Sequence, residues 1–194
     1  MFVLGDFFAL MFRMKYINRW GLMRLVESEN LSVHSLECAM LAHGLAVIGN
    51  TYFGKNYNAD HIALAAIYHD APEIITGDMP TPVKYYDENT RLAYKSVEDA
   101  AIDRFLAYLP DELKGAYENA LCCSEEEHKI VKAADKLCAY LKCRSELDLG
   151  NREFAYAAES ALEAMKQYDC EELDYFLKNC IESFGKSLDE LKNN

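Results

Sequence analysis

The sequence is poor in prolines, tryptophan and positive charge. Four prolines and one tryptophan occur among 194 residues, and Lys and Arg together number 20 against 32 Asp and Glu. The formal charge of −12 argues against a general binder of nucleic-acid polymers or anionic membranes, because such proteins present basic patches. A protein this acidic needs local positive charge to bind an anionic substrate, from a metal ion or a placed arginine.

The alternating pattern typical of β-strands is absent, and no run of about 18 uninterrupted apolar residues predicts a membrane span. The seven cysteines are odd in number and lack paired metal-type spacing, which indicates reduced, packed thiols and a cytoplasmic location. The apolar segment 1–10 lacks a basic leader and a small-residue cleavage site, and Asp6 interrupts it. We therefore interpret it as the start of a packed helix.

Helical periodicity recurs along the chain, and 51% of its residues are apolar. This pattern predicts an all-α fold in which residues 1–194 form a single domain with a sizeable core. Predicted helices cover about 7–18, 33–49, 59–69, 88–109, 153–168 and 171–192, a short helix begins at 110–111, and 76–82 is a loop. Ser32 and Asn58 are predicted N-caps. Ser124 and Glu127 form a predicted capping box whose helix runs to about residue 149.

The chemistry of the chain is concentrated where a predicted helix meets a proline-containing loop. Ile62, Ala65, Ala66 and His69 share the spacing of one helix face, so His69 points inward and Asp70 lies at the edge of that face. A buried carboxylate is costly unless it is paired or coordinates a metal. For an isolated pair, a hydrogen-bonded core histidine and a helix-end cap remain the simpler explanation. Ligands elsewhere in the chain decide between the two.

Two other predicted helices each present an inward polar residue. His34 begins an inward face, which alone is usual for a core histidine. Asp135 lies beside the apolar stripe of its helix, near Cys138, where either an ion pair with an arginine or a metal explains an acid. His34, His69, Asp70 and Asp135 together form an N/O set that suits one divalent Mn, Fe, Co, Ni or Zn ion. His43, His61 and His128 lack such support.

The order of these ligands, H…HD…D, resembles that of the HD-domain phosphohydrolases. The flanking segments are similar, over nearly the whole chain, to bacterial 5′-deoxynucleotidases of the YfbR type. They are Ile17–Trp20, Val33–Leu36, His69–Glu73, Gly77–Lys84, Ala134–Lys142, Leu173–Phe176 and Ser187–Leu191. The family more often has leucine where Met79 stands and serine where Pro72 stands. Methionine for leucine is nearly isosteric, whereas Pro72 is placed to shift the carboxylate of Glu73.

The resemblance implies an HD-type helical bundle that hydrolyses 2′-deoxyribonucleoside 5′-monophosphates to nucleoside and phosphate, with one divalent ion such as Co or Mn. A metal with two carboxylate ligands cannot by itself neutralise a phosphate dianion. Arg19 is therefore expected to bind the phosphate, the alternative being a surface ion pair. Glu73 is expected to act as general base or general acid, the alternative being an exposed glutamate at a helix end.

The implied substrate-binding residues are Arg19, Trp20, His34, Asp70, Asp78, Met79, Pro80 and Thr81. Trp20 is expected to pack against the sugar and disfavour a 2′-hydroxyl, unless it is simply a core aromatic. Asp78 is expected to accept a hydrogen bond from the 3′-hydroxyl. Met79 and Thr81 each precede a proline, which favours extended backbone and a stiff loop.

Two competing functions remain open from the sequence. Another HD-type phosphohydrolase, acting on a nucleoside triphosphate, a cyclic nucleotide or an alarmone, needs more cations than Arg19 supplies. A non-catalytic, metal-dependent nucleotide sensor does not need Glu73 and Arg19. The acidic composition predicts no nucleic-acid polymer and no membrane as partner, and the resemblance implies a homodimer.

Overall fold

The computed structural model describes residues 4–84 and 86–192. Its fold is all-α: no strand occurs in those residues, and an isolated bridge pairs Asn18 with Asn30. The helices are α1 (Leu4–Met11), α2 (Leu31–Tyr52), α3 (Ala59–Tyr68), α4 (Glu73–Thr76), α5 (Thr81–Lys84), α6 (Glu88–Leu106), α7 (Asp111–Leu121), α8 (Glu125–Asp148), α9 (Ala155–Lys166), α10 (Glu171–Asn179) and α11 (Leu188–Lys192). Turns of 3₁₀ helix cover Phe12–Tyr16, Arg152–Phe154 and Ile181–Gly185.

The main core lies between α2, α3 and α8, and α10 packs against α2. Leu45, Ile62 and Leu137, one from each of the three helices, are fully buried there. The remaining buried core positions on these helices are largely alanines: Ala39, Ala42, Ala46, Ala65, Ala66, Ala133 and Ala134. Because interaxial distance depends on side-chain size at the contact, these alanines let the faces that carry the predicted ligands meet closely.

Two of the predicted N-caps are confirmed and one is wrong. The Asn58 side chain accepts from the backbone N–H of His61, and Ser124 and Glu127 form the complete capping box. For α2, however, Asn30 rather than Ser32 accepts from the N–H of Val33 at 3.1 Å. Both residue types cap well. Asn30 is chosen because its bridge with Asn18 holds it extended.

Several predicted helix boundaries are also wrong. The predicted helix 7–18 tightens into 3₁₀ geometry after Met11, and the predicted helix 88–109 ends at Leu106. The predicted loop 76–82 closes with helix α5, where Pro80 accepts from Val83 and Lys84, so Pro82 falls in a first turn that needs no N–H from it. Helix 153–168 begins as a 3₁₀ turn and ends at Lys166.

The predicted C-terminal helix 171–192 is interrupted between α10 and α11. Periodicity continues through this segment, but a new helix start is encoded within it. The Ser187 hydroxyl accepts from the N–H of Glu190, and the Glu190 carboxylate accepts from the N–H of Ser187 at 2.7 Å. This reciprocal capping satisfies helix-end donors locally, so the break is stabilised by the sequence itself.

Residues 19–29 form a loop whose ends are tied together and whose middle is anchored on α8. Arg19 N–H donates to the Glu29 carbonyl at 3.0 Å, closing the loop. The fully buried Glu146 carboxylate accepts from the N–H groups of Val26 (2.9 Å) and Glu27 (3.1 Å) and from Lys142 Nζ (2.6 Å). The loop that carries Arg19 is therefore fixed by a buried acid outside the site.

Helix α2 is long and apolar enough, by length and composition, to cross a membrane. A core helix of a soluble protein passes the same test, and α2 packs on α3 and α8 through one face with His34 fully buried. Its opposite face leaves Val33, Leu36, Met40 and Val47 exposed. The buried face of α2 thus forms part of the core, and the face that carries Val33, Leu36, Met40 and Val47 is left exposed by the described residues.

The Glu146 anchor predicts a large stability loss in Glu146→Gln. All of the groups that contact this carboxylate are donors. An amide would place its own NH₂ group against at least one of them and leave the charge of Lys142 unpaired. We therefore expect urea titrations to show a loss of about 3 kcal/mol of unfolding free energy. Burial raises the pKa of Glu146, but Lys142 and the N–H of Val26 outweigh this effect and lower the pKa to about 2. The stabilisation is therefore full above its ordinary pKa of 4.5 and is lost as pH falls through about 2.

The matched control is Glu163→Gln, which removes an exposed carboxylate paired with Lys166. Such surface pairs contribute at most about 1 kcal/mol. Equal stability losses in the two variants at neutral pH would contradict the anchoring role of Glu146.

Candidate metal centre and adjoining cleft

The four predicted metal ligands come from three helices that pack together. His34 lies in the first turn of α2, His69 and Asp70 directly follow α3, and Asp135 lies within α8. Donor atoms of His34, His69 and Asp70 all lie within 4.8 Å of one another. Asp135 approaches this trio through His34, whose Nε2 is 3.3 Å from Asp135 Oδ1 and 3.4 Å from Asp70 Oδ2.

The two imidazoles present nitrogens that fit a metal ion. His69 Nδ1 lies 2.7 Å from the Ala66 carbonyl oxygen, which can only accept, so Nδ1 carries the hydrogen. This leaves a lone pair on His69 Nε2. Both His69 Nε2 and His34 Nε2 are buried without a hydrogen-bond partner in the described part of the chain. Buried, unpartnered imidazole nitrogens beside two carboxylates form a mixed N/O donor set that suits a divalent transition ion.

The electrostatics at His34 favour a positive charge. Burial lowers its pKa, but Asp135 and Glu29 outweigh this effect and raise it to about 10. Asp135 shows the reciprocal effect: burial raises its pKa, yet His34, His69 and Arg19 hold that pKa below its usual range. The surroundings therefore stabilise a cation at His34 Nε2, either a proton or a metal ion.

Arg19 is part of the same cluster and is not a surface residue. Its side chain is 12% exposed; Nη1 donates to Asp70 Oδ2 at 3.2 Å, and Nη2 lies 3.9 Å from Asp135 Oδ1. Burial lowers the pKa of Arg19, but Asp135, Asp70 and Glu29 raise it overall, so the guanidinium stays charged. The arginine ion pair considered as an alternative for Asp135 is therefore present, together with the His34 contact.

Trp20 follows Arg19 in a strained backbone conformation, with φ of 64°. Its N–H donates to Asp78 Oδ2 at 3.0 Å, and its indole Nε1 donates to Glu29 Oε2 at 2.7 Å. The ring packs edge-on against Phe154 with centroids 5.4 Å apart. A non-glycine residue in the left-handed region persists only where surrounding contacts hold it, and such residues cluster at functional sites.

Glu73 is buried at the start of α4 and not exposed at a helix end. Its side-chain Oε2 is buried without a hydrogen-bond partner in the described residues. Burial, followed by the charges of Asp70 and Asp78, raises the pKa of Glu73 to about 9, while Arg19 and Lys84 oppose the shift. A carboxyl group in these surroundings favours its protonated form.

A cleft of about 670 Å³ opens beside the cluster and shares Arg19 and Asp135 with it. Asp78, Met79, Pro80 and Thr81 line it together with Trp20. The residues that line it from α8 and α9 are Asp135, Lys136, Ala139, Tyr156, Ala157, Ser160, Ala161 and Ala164. The α9 side of the cleft is formed mostly by small side chains. It therefore offers a bound molecule room but few polar contacts.

Sequence reasoning missed Glu29 and the cleft wall on α9. Glu29 lies in the acidic stretch 27–29, which reads as a solvated segment, and only tertiary contacts reveal its burial. The α9 positions recur at helical spacing, but small residues facing a cleft and small residues facing a core give the same pattern. Two of the histidines left out of the ligand set pair with other acids: His61 contacts Glu127 at 2.7 Å, and His43 lies 3.8 Å from Asp60.

Comparison with known families and proteins gives one consistent answer. The family model described as 5′-deoxynucleotidase YfbR-like matches residues 6–184. A 5′-deoxynucleotidase of Enterobacter sp. (strain 638) is 47% identical over 190 residues, and the 5′-deoxynucleotidase YfbR of Salmonella paratyphi B is 49% identical over 192 residues. In both cases the match covers 96% of this chain and 96% of the relative.

Solved structures share the fold at lower identity. An HD-domain phosphohydrolase from Listeria innocua superposes with a TM-score of 0.82 at 22% identity, covering 97% of this chain and 92% of that one. The cyanophage S-2L HD phosphohydrolase DatZ, bound to dA and one catalytic Zn²⁺ ion, superposes with a TM-score of 0.68 at 20% identity, covering 90% and 96%. These likenesses establish the architecture.

The cluster predicts that metal binding depends on Asp135 and not on Arg19. Asp135→Ala removes a carboxylate facing His34, so we expect loss of stoichiometric Co²⁺ or Mn²⁺ binding to stripped protein. Arg19→Ala removes a cation and should retain the ion. Isothermal titration and metal analysis measure both; retention in Asp135→Ala or loss in Arg19→Ala would contradict the ligand assignment.

Proposed function

The chain belongs to the YfbR-like 5′-deoxynucleotidase family, and we propose that its site hydrolyses 2′-deoxyribonucleoside 5′-monophosphates to deoxynucleoside and phosphate with one divalent metal ion. The observation that carries this proposal is the convergence of His34, His69, Asp70 and Asp135 beside Arg19, at a cleft of nucleotide size. The acidic chain thus concentrates its cation-binding groups where a phosphate would bind.

The four ligands would hold one divalent transition ion; imidazole and carboxylate donors suit Mn, Fe, Co, Ni and Zn, and Co and Mn are our first candidates. When bound, such an ion would supply Lewis-acid chemistry, polarising a phosphoryl oxygen and acidifying water. Arg19 binds the phosphate oxygens, because its fork matches two of them at once. The Arg19 guanidinium lies 3.2 Å from Asp70 Oδ2 and 3.9 Å from Asp135 Oδ1, which places it beside the proposed metal site.

Glu73 is the residue we assign to proton transfer. Its burial and unpartnered Oε2 favour the protonated acid, which would donate to the 5′-oxygen as the P–O5′ bond breaks and the bond from water to phosphorus forms. The proton lost by the attacking water then restores Glu73. General-base action, the other role expected from the sequence, requires Glu73 to start ionised.

Trp20 and the lip residues Asp78, Met79, Pro80 and Thr81 form the proposed nucleoside side of the site. One carboxylate oxygen of Asp78 accepts a hydrogen bond from the Trp20 N–H. The other would accept a hydrogen bond from the sugar 3′-hydroxyl. Steric rejection of a 2′-hydroxyl by Trp20 would give about 10- to 200-fold selectivity. We further propose that residues 1–194 act as one domain in the cytoplasm, which suits the seven free cysteines.

Phosphate release from a panel of nucleotides tests this function. Stripped protein is supplied with Mn, Co, Mg or Zn and offered deoxy- and ribonucleoside 5′-monophosphates, triphosphates and cyclic nucleotides. We expect phosphate from the deoxynucleoside monophosphates above all. Release of pyrophosphate or triphosphate would favour another HD-type phosphohydrolase, and binding without release would favour a sensor.

Variants in the same assay separate the proposed roles. Glu73→Gln should lower kcat by about 10²- to 10⁴-fold, the usual contribution of a general acid or base, and Arg19→Ala should abolish measurable turnover. Glu163→Gln changes an exposed charge far along α9 and should leave kcat unchanged. Full activity of Glu73→Gln would remove that residue from the mechanism.

We propose a homodimer that uses the exposed face of α2. Val33, Leu36, Met40 and Val47 are 42–60% exposed and follow heptad-like spacing. Gly44 between them has nothing within 4 Å of an added Cβ, which leaves room for a partner helix. An exposed stripe that is apolar except at His43 suits an isologous contact with the same stripe of a second copy.

Met40→Glu should convert the dimer to a monomer in light scattering, because it places a charge at the centre of that face. The matched control is Leu92→Glu on α6, also at an exposed leucine, which should leave the oligomeric state unchanged. A wild-type monomer, or a dimer that survives Met40→Glu, would contradict the proposed interface.

A further inference from the structure

Glu29 is a buried carboxylate to which the proposed mechanism gives no part. Trp20 Nε1 donates a hydrogen bond to one carboxylate oxygen at 2.7 Å, and Arg19 Nε and His34 Nδ1 lie 3.5 and 3.4 Å from the other, within ion-pair range but without a hydrogen bond in the described residues. The residue is 6% exposed, although it lies only two residues from the start of α2. Burying a carboxylate is costly unless its neighbours compensate for the charge. The burial of Glu29 therefore indicates that its contacts have a structural or functional role.

We propose that Glu29 is a positioning residue that couples the metal-binding histidine to the residue pair that recognises the nucleotide. One carboxylate oxygen faces His34 and Arg19, and the other holds the Trp20 indole. The inference rests on the proposed hydrolase function, since it assigns Glu29 a task toward the same metal and phosphate.

The first half of the coupling concerns His34. A carboxylate only accepts, so a carboxylate facing Nδ1 favours the tautomer that carries hydrogen there. The lone pair is then on Nε2, the atom that lies 3.3 Å from Asp135 and 3.4 Å from Asp70. Groups that orient a ligating imidazole in this way typically change metal affinity or activity 10- to 100-fold when removed.

The second half concerns Arg19 and Trp20. Glu29 contacts Arg19 twice, through its side chain and through the carbonyl that accepts the Arg19 N–H at 3.0 Å. Its bond to the indole is the side-chain hydrogen bond that fixes the ring of Trp20, whose backbone is strained at φ 64°. Arg19 and Trp20 are thereby held at fixed positions relative to His34.

A carboxylate is required because every group that faces Glu29 is a donor. In Glu29→Gln, the amide oxygen can satisfy one side only, and the NH₂ group must face a donor on the other. The oxygen should turn toward Arg19 and His34, where two donors and a positive charge lie, leaving the indole N–H opposed. The variant therefore keeps the shape of the residue but separates the two halves of the coupling.

Trp20 is the only tryptophan, so its fluorescence reports directly on this contact. For Glu29→Gln we expect a shifted Trp20 emission and a raised KM, with Co²⁺ affinity reduced by up to about tenfold. For Glu29→Ala we expect the same emission change and a 10- to 100-fold loss of Co²⁺ affinity by titration of stripped protein. Thermal unfolding by circular dichroism shows whether each variant is folded at the assay temperature.

The matched control is Glu27→Gln, which removes an exposed carboxylate from the same loop and should change neither readout. Unchanged emission, Co²⁺ affinity and KM in folded Glu29→Gln would overturn the proposal, as would a lowered unfolding temperature with no change in these three. Wild-type phosphate release is measured in parallel. Its failure would refute the function, whereas its success with unchanged Glu29 variants would refute only the coupling.

Discussion

The contact of His34 Nε2 with carboxylate oxygens of Asp70 and Asp135 joins the ends of α2 and α3 to the middle of α8. Three helices meet at this point through polar atoms, while alanines bring their axes close on either side. The fully buried His34 must find its partners within the cluster, whereas Asp135 also faces the cleft. The acids favour a cation at Nε2, and the cationic groups keep the acid at residue 135 ionised.

The loop 19–29 is best understood as the cover of this polar cluster. It brings Arg19 and Glu29 into a region where neither would be stable alone, because each compensates the charge of the other and of the helical ligands. The loop has little regular structure of its own, so Glu146, about three turns beyond Asp135 on α8, fixes its middle. The loop therefore links the site to its anchor, because Glu29 contacts the site while Val26 and Glu27 are bonded to Glu146.

The sequence predicted the parts of the site that follow helical periodicity. His34, His69 and Asp135 stand out because a polar residue on an apolar helix face has a cost that can be read from spacing alone. Glu29 lies in a loop, where no helical periodicity predicts burial. Its burial depends on contacts with residues that are distant in sequence. The prediction of Ser32 as the N-cap of α2 failed for the same reason, because the bridge between Asn18 and Asn30 favours Asn30 as the cap. The break before α11 was encoded locally, but continuing apolar periodicity concealed it.

The net charge of −12 makes local charge balance decisive for any anionic ligand. Arg19 lies beside three carboxylates, those of Glu29, Asp70 and Asp135, which offset its positive charge. A divalent ion held by Asp70 and Asp135 would balance those two charges, so that the charge of Arg19 becomes available to an incoming phosphate. On the proposed function, metal and nucleotide should therefore bind with positive coupling, and the coupling should pass through the guanidinium that both would share.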